Sequence, residues 1–399
     1  MSRATRSGAM ALACALASLA AAGCSTLGSK GSSPEGLPHN GTGPYRDLDD
    51  EETDVRPANR AIAIGSASIE SGMVAGDGSL FYASAVVMVR PSPDAGRSDA
   101  GPSDAGLSDA GLSDAGPSDA GPPPSPRFAA PDWTGHGPRT ISRSAPRQAE
   151  GLSFTTRSPG FGLGAEVLGA THPWEGGYVS DPWALVREDG SVLLYYAAEG
   201  GIGVATASSV AGPYEGSTTP QIAAHEGVVP RRPSVIETRL LAGASHAFLM
   251  YYEDGGSIAV AGSSDGLSFT PLGELALPAM PARDERDGDE VEVGGPGAIV
   301  VTSPARRSFV RLFYESRRSN GNTLVTLAAS ADGDAFEAFG RPVIAGNDAD
   351  SRSRRFPSPA VIDERISLLY TWSGDSPGAS EGTIFVGIAP AGVRLAPSR

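Results

Sequence analysis

Residues 178–215, YVSDPWALVREDGSVLLYYAAEGGIGVATASSVAGPYE, hold four short apolar segments divided by turn residues. The run 179–186 ends at Asp189-Gly190, the run 192–196 ends at Gly200-Gly201, and 202–206 is followed by a last short segment near Tyr214. Runs of this length, bounded by Gly or Asp-Gly, predict a four-stranded antiparallel meander. A single sheet of this kind cannot bury both faces. It requires sister sheets, and the sequence supplies them.

One copy of the unit runs through 232–240, 246–254, 257–264 and 268–273, with turns at Gly255-Gly256 and Asp265-Gly266. Another runs through 294–301, 309–316, 323–330 and 335–339, and a further one through 356–363, 366–372 and 382–389 with a ragged end. The first copy is interrupted. Residues 67–74 turn at Asp77-Gly78 into 80–89, a low-complexity stretch intervenes, and 139–144 resumes before Gly151-Leu152-Ser153-Phe154, a phrase matching Gly266-Leu267-Ser268-Phe269. Five units recurring roughly every 45 to 65 residues predict an all-β fold, a five-bladed β-propeller of four-stranded antiparallel blades spanning 61–397. A β-sandwich of many strands would not account for the recurring order of phrases.

The intervening stretch, 91–127, repeats Ser-Asp-Ala-Gly with aspartates at 94, 99, 104, 109, 114 and 119. Small residues between the carboxylates fix no ligand geometry, so it reads as a flexible insertion within the first blade. Residues 24–60 are rich in Gly, Ser, Pro and acid, including Asp47 to Asp54, and read as a disordered tether. With 46 acidic against 31 basic residues the net charge is -15, which leaves no basic footprint for a nucleic acid.

At the N-terminus, Arg3 and Arg6 precede an apolar segment that is short for a membrane span and has the layout of a signal peptide over 1–23. It closes with Leu19-Ala20-Ala21-Ala22-Gly23-Cys24, which resembles the lipobox of bacterial lipoproteins, with Ala21 where leucine is usual. The resemblance implies lipidation at Cys24, anchorage to a membrane through it, and a place in the cell envelope. Ser25 gives no argument for inner-membrane retention, so the outer membrane is expected. Cys14 falls in the discarded segment, and no disulfide is available.

Ser180-Asp181-Pro182-Trp183, the tyrosine-rich strand after Glu188-Asp189-Gly190, and Gly212-Pro213-Tyr214 together resemble a blade of the five-bladed glycosidases. These are the arabinanase, xylosidase, invertase and levansucrase relatives of glycoside hydrolase families 43, 32 and 68. The resemblance implies carboxylates near the starts of innermost strands, at the mouth of a central funnel. Asp181 matches the family aspartate in the second blade. In the third blade Arg232 stands where a relative has aspartate before proline, and in the fourth the acid's Glu-Gly-Pro has become Gly294-Gly295-Pro296. The first blade offers only Ser68 and Glu70, and the fifth Ser358.

Glycoside cleavage requires a proton donor and an opposed carboxylate ~5 to ~9.5 Å apart. Glu253 and Glu315, at the ends of second strands, are the candidates to join Asp181; Glu199 is placed likewise. Exposed strand-end charges paired with neighbouring arginines are the competing explanation. Arg231 and Arg232, Arg317 and Arg318, Arg354 and Arg355 gather at the same end. Of these, Arg232 and Arg355 are candidate substrate contacts, suited to carboxylates. Trp183 and Trp372 are candidate platforms for a sugar ring, with packing as the alternative for Trp183.

Histidines at 39, 136, 172, 225 and 246 show no metal spacing, and neither a phosphate-cradling loop nor a nucleophile elbow is present in context, so no metal or cofactor is expected. The favoured expectation is a monomeric propeller that binds a glycan at the funnel mouth with its catalytic set largely missing. A divergent glycoside hydrolase using Asp181 with Glu253 or Glu315, and a protein-binding scaffold, stand as alternatives.

Overall fold

The computed structural model of the chain describes residues 46–47, 60–63, 67–76, 78–86, 139–145, 164–277, 289–302, 307–320, 323–338, 343, 353–362, 365–373 and 383–388. Apart from one 3-10 turn at Pro173–Glu175, the regular structure is β. Two strands, β1 (Arg46–Asp47) and β2 (Arg60–Ala63), precede the first sheet, which is formed by β3 (Ala67–Val74), β4 (Leu80–Val86), β5 (Arg139–Ser144) and β6 (Ala165–Leu168). The second sheet has β7 (Ser180–Val186), β8 (Val192–Ala198) and β9 (Gly201–Ala207), with its outer edge divided between β10 (Glu215–Gly216) and β11 (Ile222–Ala223). The third has β12 (Arg231–Glu237), β13 (Phe248–Asp254), β14 (Ser257–Ser263) and β15 (Thr270–Glu274). The fourth has β16 (Glu290–Thr302), β17 (Ser308–Arg318), β18 (Thr323–Ser330) and β19 (Glu337–Ala338). The fifth has β20 (Ser353–Ile362), β21 (Arg365–Ser373) and β22 (Thr383–Ile388).

The innermost strands touch in cyclic order: β3 meets β7, β7 meets β12, β12 meets β16, β16 meets β20, and β20 returns to β3. That closed ring makes the fold a five-bladed propeller, as the repeating phrases predict. Apolar side chains are buried between successive sheets. Met73, Trp183, Tyr195, Val235 and Met250 belong to one core cluster, Ile236, Tyr251, Leu312 and Tyr314 to the next, and Phe313, Leu327, Ile366 and Leu368 to a third.

Three boundaries differ from the sequence reading. The ragged end of the last blade is completed from the other end of the chain, because β1 and β2 both pair antiparallel with β22. The span 24–60 is therefore not tether throughout: Arg46–Asp47 and Arg60 are strand. Strands of two and four residues are too short to leave a periodic signal. In the first sheet the fourth strand is Ala165–Leu168, not 151–154, which lies outside the described residues. The split hairpin itself holds: β4 and β5 pair in register from Leu80↔Ser144 to Ala85↔Arg139, so 87–138 leave and return at adjacent positions. That exit lies at the end where β3 begins, since Ala67 pairs with Val86.

A turn phrase joins neighbouring blades. In Ser263-Ser264-Asp265-Gly266, the Gly266 N–H donates to Ser263 Oγ (2.9 Å), and the Leu267 and Ser268 N–H groups donate to Asp265 Oδ1 (2.8 and 2.9 Å). Ser330 and Asp332 repeat the arrangement ahead of Gly333. Each turn leaves its glycine carbonyl facing the preceding blade. Tyr195 donates its hydroxyl to the Gly266 carbonyl and Tyr251 to that of Gly333, both at 2.8 Å. Their rings meet Phe269 and Phe336 edge-on at 5.8 and 5.7 Å. Phe81 and Tyr214 make the ring contact between the first two blades.

Candidate functional site

The second to fifth inner strands all break their ladder at the same place. Pairing skips from Ser180 to Trp183, Arg231 to Ser234, Gly294 to Gly297 and Arg355 to Ser358. The first residue of each bulge has a left-handed backbone: Asp181 (φ 49), Arg232 (φ 54), Gly295 (φ 52) and Phe356 (φ 58). A proline follows every one. Proline is admitted because the bulge requires no ladder hydrogen bond from that nitrogen. Aspartate and glycine accept the left-handed region readily, whereas Arg and Phe are held there at a cost of about 1–3 kcal/mol each. The fifth-blade counterpart of Asp181 is thus Phe356, two positions before Ser358. In the first blade the irregularity falls between Ile69 and Ser71, at Glu70.

The bulges converge on one pocket, lined by Asp181, Trp183, Arg232, Phe356 and Ser358 together with Met73 and the bulge prolines. It holds about 350 Å³ of empty space, part of it open to solvent. Asp181 and Arg232 are largely buried there. Trp183 lines the pocket and also packs: its indole N–H donates to the Val235 carbonyl at 2.8 Å, and the ring belongs to a core cluster between blades.

Glu253 and Glu315 are brought together by arginines. Arg232 Nη1 donates to Glu253 Oε2 (2.9 Å) and Glu315 Oε1 (3.1 Å). Arg317 Nη2 donates to Glu253 Oε2 (3.0 Å) and Glu315 Oε2 (3.2 Å), and its other amine reaches Glu292 (3.4 Å). Arg231 holds Glu253 Oε1 at 2.9 Å. Backbone N–H groups of Gly295 and Phe356 donate to Glu253 and Glu315 at 3.0 and 2.8 Å. The Arg232 guanidinium also lies over the Phe356 ring, 3.9 Å from its centre.

This network explains the fourth-blade glycines. A Cβ on Gly294 would stand 2.5 Å from Glu253 Oε2 and 2.7 Å from Arg317 Nη2, and one on Gly295 would stand 2.6 Å from Glu315 Oε1. No side chain fits at 294 while Glu253 occupies its place.

Burial alone would raise the Glu253 carboxyl, but Arg232, Arg317, Arg231 and the Gly295 N–H outweigh it and hold the group well below the usual carboxylate range. Arg317 is pushed down by burial and up, more strongly, by Glu253 and Glu315. Because the folded Glu253 titrates below its unfolded value near 4.5, its stabilisation is complete above that pH and is lost as pH falls beneath it. Urea unfolding midpoints should hold steady between pH 7 and 5 and drop below about pH 4.5. Glu253→Gln should lower the midpoint at pH 7 and flatten the acid fall; an unchanged acid limb in that variant would show that other carboxylates set it.

Beside the pocket, burial, then Glu199 and Asp181, push the Tyr178 hydroxyl up to about 12, while Arg139 and Arg231 act oppositely. Tyr178 therefore keeps its proton well above neutral pH. The loop before it is held by Glu175, fully buried, which accepts from the His172 N–H (2.7 Å) and the Tyr196 hydroxyl (2.6 Å). Trp174 stacks on Tyr196 at 5.8 Å. Tyr178, Glu292 and Phe356 carry no motif, and only the three-dimensional register brings them to the site. Arg355 and Trp372 fall on β20 and β21, but their side chains, like Cys24 and the array 91–127, lie outside the described residues. Among the described residues no group of three or more His, Cys, Asp or Glu could hold a metal ion.

The chain matches no protein-family model and no curated protein. It is similar to solved structures. A glycoside hydrolase superposes with a TM-score of 0.51 at 12% identity, covering 86% of this chain and 94% of that one. A structure from the GH130 family of mannoside phosphorylases, which contains glycoside hydrolases that target β-1,2 mannosidic linkages in Candida mannan, gives 0.51 at 13% identity, covering 92% and 99%. An α-L-arabinofuranosidase from Clostridium thermocellum gives 0.44 at 14% identity, covering 83% and 94%. At such identities the likeness is one of fold: this chain shares the propeller of glycoside hydrolases.

Proposed function

We propose, starting from that glycosidase-like propeller, that the pocket binds a carbohydrate without cleaving it. The observation that carries this reading is the state of Glu253 and Glu315. A general acid must hold a proton to give to the leaving oxygen. Glu253 is kept ionised by three guanidiniums, and Glu315 is engaged by Arg232, Arg317 and the Phe356 N–H. Neither glutamate is thereby placed to give Asp181 a proton-donating partner. Binding needs only the cleft, its apolar walls and the acceptors that Asp181 offers.

A glycan array with the wild type and Asp181→Asn tests it. Wild-type binding that weakens in the variant, with no sugar released by either protein, is the expected result. Release of a product by the wild type would overturn the non-catalytic reading and favour hydrolysis through Asp181 with Glu253 or Glu315.

We propose too that the propeller is carried in the cell envelope on an acylated Cys24, on the strength of the lipobox resemblance. In a bacterial host, radiolabelled fatty acid should enter the wild type and not Cys24→Ala; equal labelling of both would refute the anchor.

A further inference from the structure

Two polar side chains of the pocket have no hydrogen-bond partner among the described residues. Ser358 Oγ is buried without a hydrogen-bond partner. Asp181 is 8% exposed, and no hydrogen bond or ion pair among the described residues reaches its carboxylate. Both line the same cavity, whose other walls are mainly apolar. A buried carboxylate is costly unless a charge-bearing donor meets it.

The described cations nearby do not supply that donor. Arg232 is the one cation lining the pocket, and its head group is divided between Glu253 and Glu315. Arg231 and Arg317 are engaged by Glu253, Glu315 and Glu292, so the three arginines are matched by three glutamates. Around Tyr178, Glu199 and Arg139 act with opposite sign. The charge presented to a ligand is that of Asp181.

We propose that the pocket selects a sugar ring bearing a protonated amine, an amino sugar rather than a neutral hexose or a uronic acid. This rests on the carbohydrate-binding reading and narrows it. A carboxylate accepts a charge-assisted hydrogen bond from either a hydroxyl or an ammonium, and the ammonium adds the attraction of a full opposite charge in a site with little water. Ser358 Oγ, able to donate or accept, serves a ring hydroxyl. A uronate brings its charge to Asp181, and Arg232, the cation among the described lining residues, is already shared between Glu253 and Glu315.

The test is a set of matched monosaccharides, glucosamine, glucose and glucuronate with the galacto and manno equivalents, titrated by calorimetry against wild type, Asp181→Asn and Ser358→Ala. Asparagine tolerates the left-handed backbone at 181, so that variant keeps the bulge, and thermal melts check that both variants fold. The tightest ligand should be an amino sugar, about tenfold tighter than its neutral counterpart, and Asp181→Asn should bring the pair within about threefold. Ser358→Ala should weaken amine and neutral forms alike. A neutral sugar or a uronate binding as tightly as the amine, or an amine preference that survives Asp181→Asn, overturns the inference and leaves carbohydrate binding standing. No binding by any of the nine overturns both.

Discussion

Arg317→Met is expected to cost about 3–5 kcal/mol, because it removes a buried cation and leaves the carboxylates it served. Arg317 is enclosed, with its side chain 1% exposed, and its Nη2 is shared by Glu253 and Glu315. After the substitution Arg231 and Arg232 remain against Glu253, Glu315 and Glu292, so at least one negative charge stays in a dry place without its partner. At ~2–4 °C per kcal/mol, Tm should fall by roughly 6–20 °C. Arg317→Lys keeps the charge but not the planar fork that spans two acceptors, and should fall between. Combining Arg317→Met with Glu315→Gln should recover part of the loss, since the pair is then removed together. A loss below about 1 kcal/mol for Arg317→Met would mean that water enters the network and that the centre of the ring is not dry.

Tyr251→Ala should cost a similar amount, about 3–5 kcal/mol, for a different reason. Its ring is fully buried between the third and fourth blades, edge-on to Phe336, and truncation opens a cavity at that seam. Tyr251→Phe isolates the hydroxyl. It leaves the ring and deprives the Gly333 carbonyl of its donor, with an expected loss of about 1 kcal/mol. The chain carries its own control: Phe313 stands at the corresponding position of the fourth blade, opposite Gly297 as Tyr251 is opposite Ser234. Denaturant unfolding of the two variants separates the ring from the hydroxyl. Equal losses in both would place the whole effect in the hydrogen bond.

The blades are legible in the sequence because each repeats the same order of apolar run and glycine turn, and the hairpin split by the Ser-Asp-Ala-Gly array is recovered from the same order. Ring closure is not legible, since β1 and β2 carry too few residues for a period and pair across the whole chain with β22. In the site, the X-Pro phrases at Asp181, Arg232 and Gly295 align one blade with the next in the sequence, whereas the bulges at them appear only in the strand pairing. Phe356 escapes notice because phenylalanine is neither an acid nor a usual occupant of left-handed backbone. That Glu253 and Glu315 share Arg232 and Arg317 depends on which strand ends meet across blades, and one chain read in order cannot supply that. The Ser-x-Asp-Gly phrases read as turns; their role as clasps appears only when the tyrosine of the preceding blade is seen against them.

Closing the fifth sheet with strands from the chain's beginning sets a schedule for folding. During folding, β1 and β2 have nowhere to dock until β22 has formed on β21. Until then the other blades stand as an open crescent, and β22 presents a bare edge. Pairing over nearly the full contour of the chain makes that final step slow. The folding protein is thus most prone to aggregate before that pairing forms, and a holdase that shields strand edges would help it most at that stage.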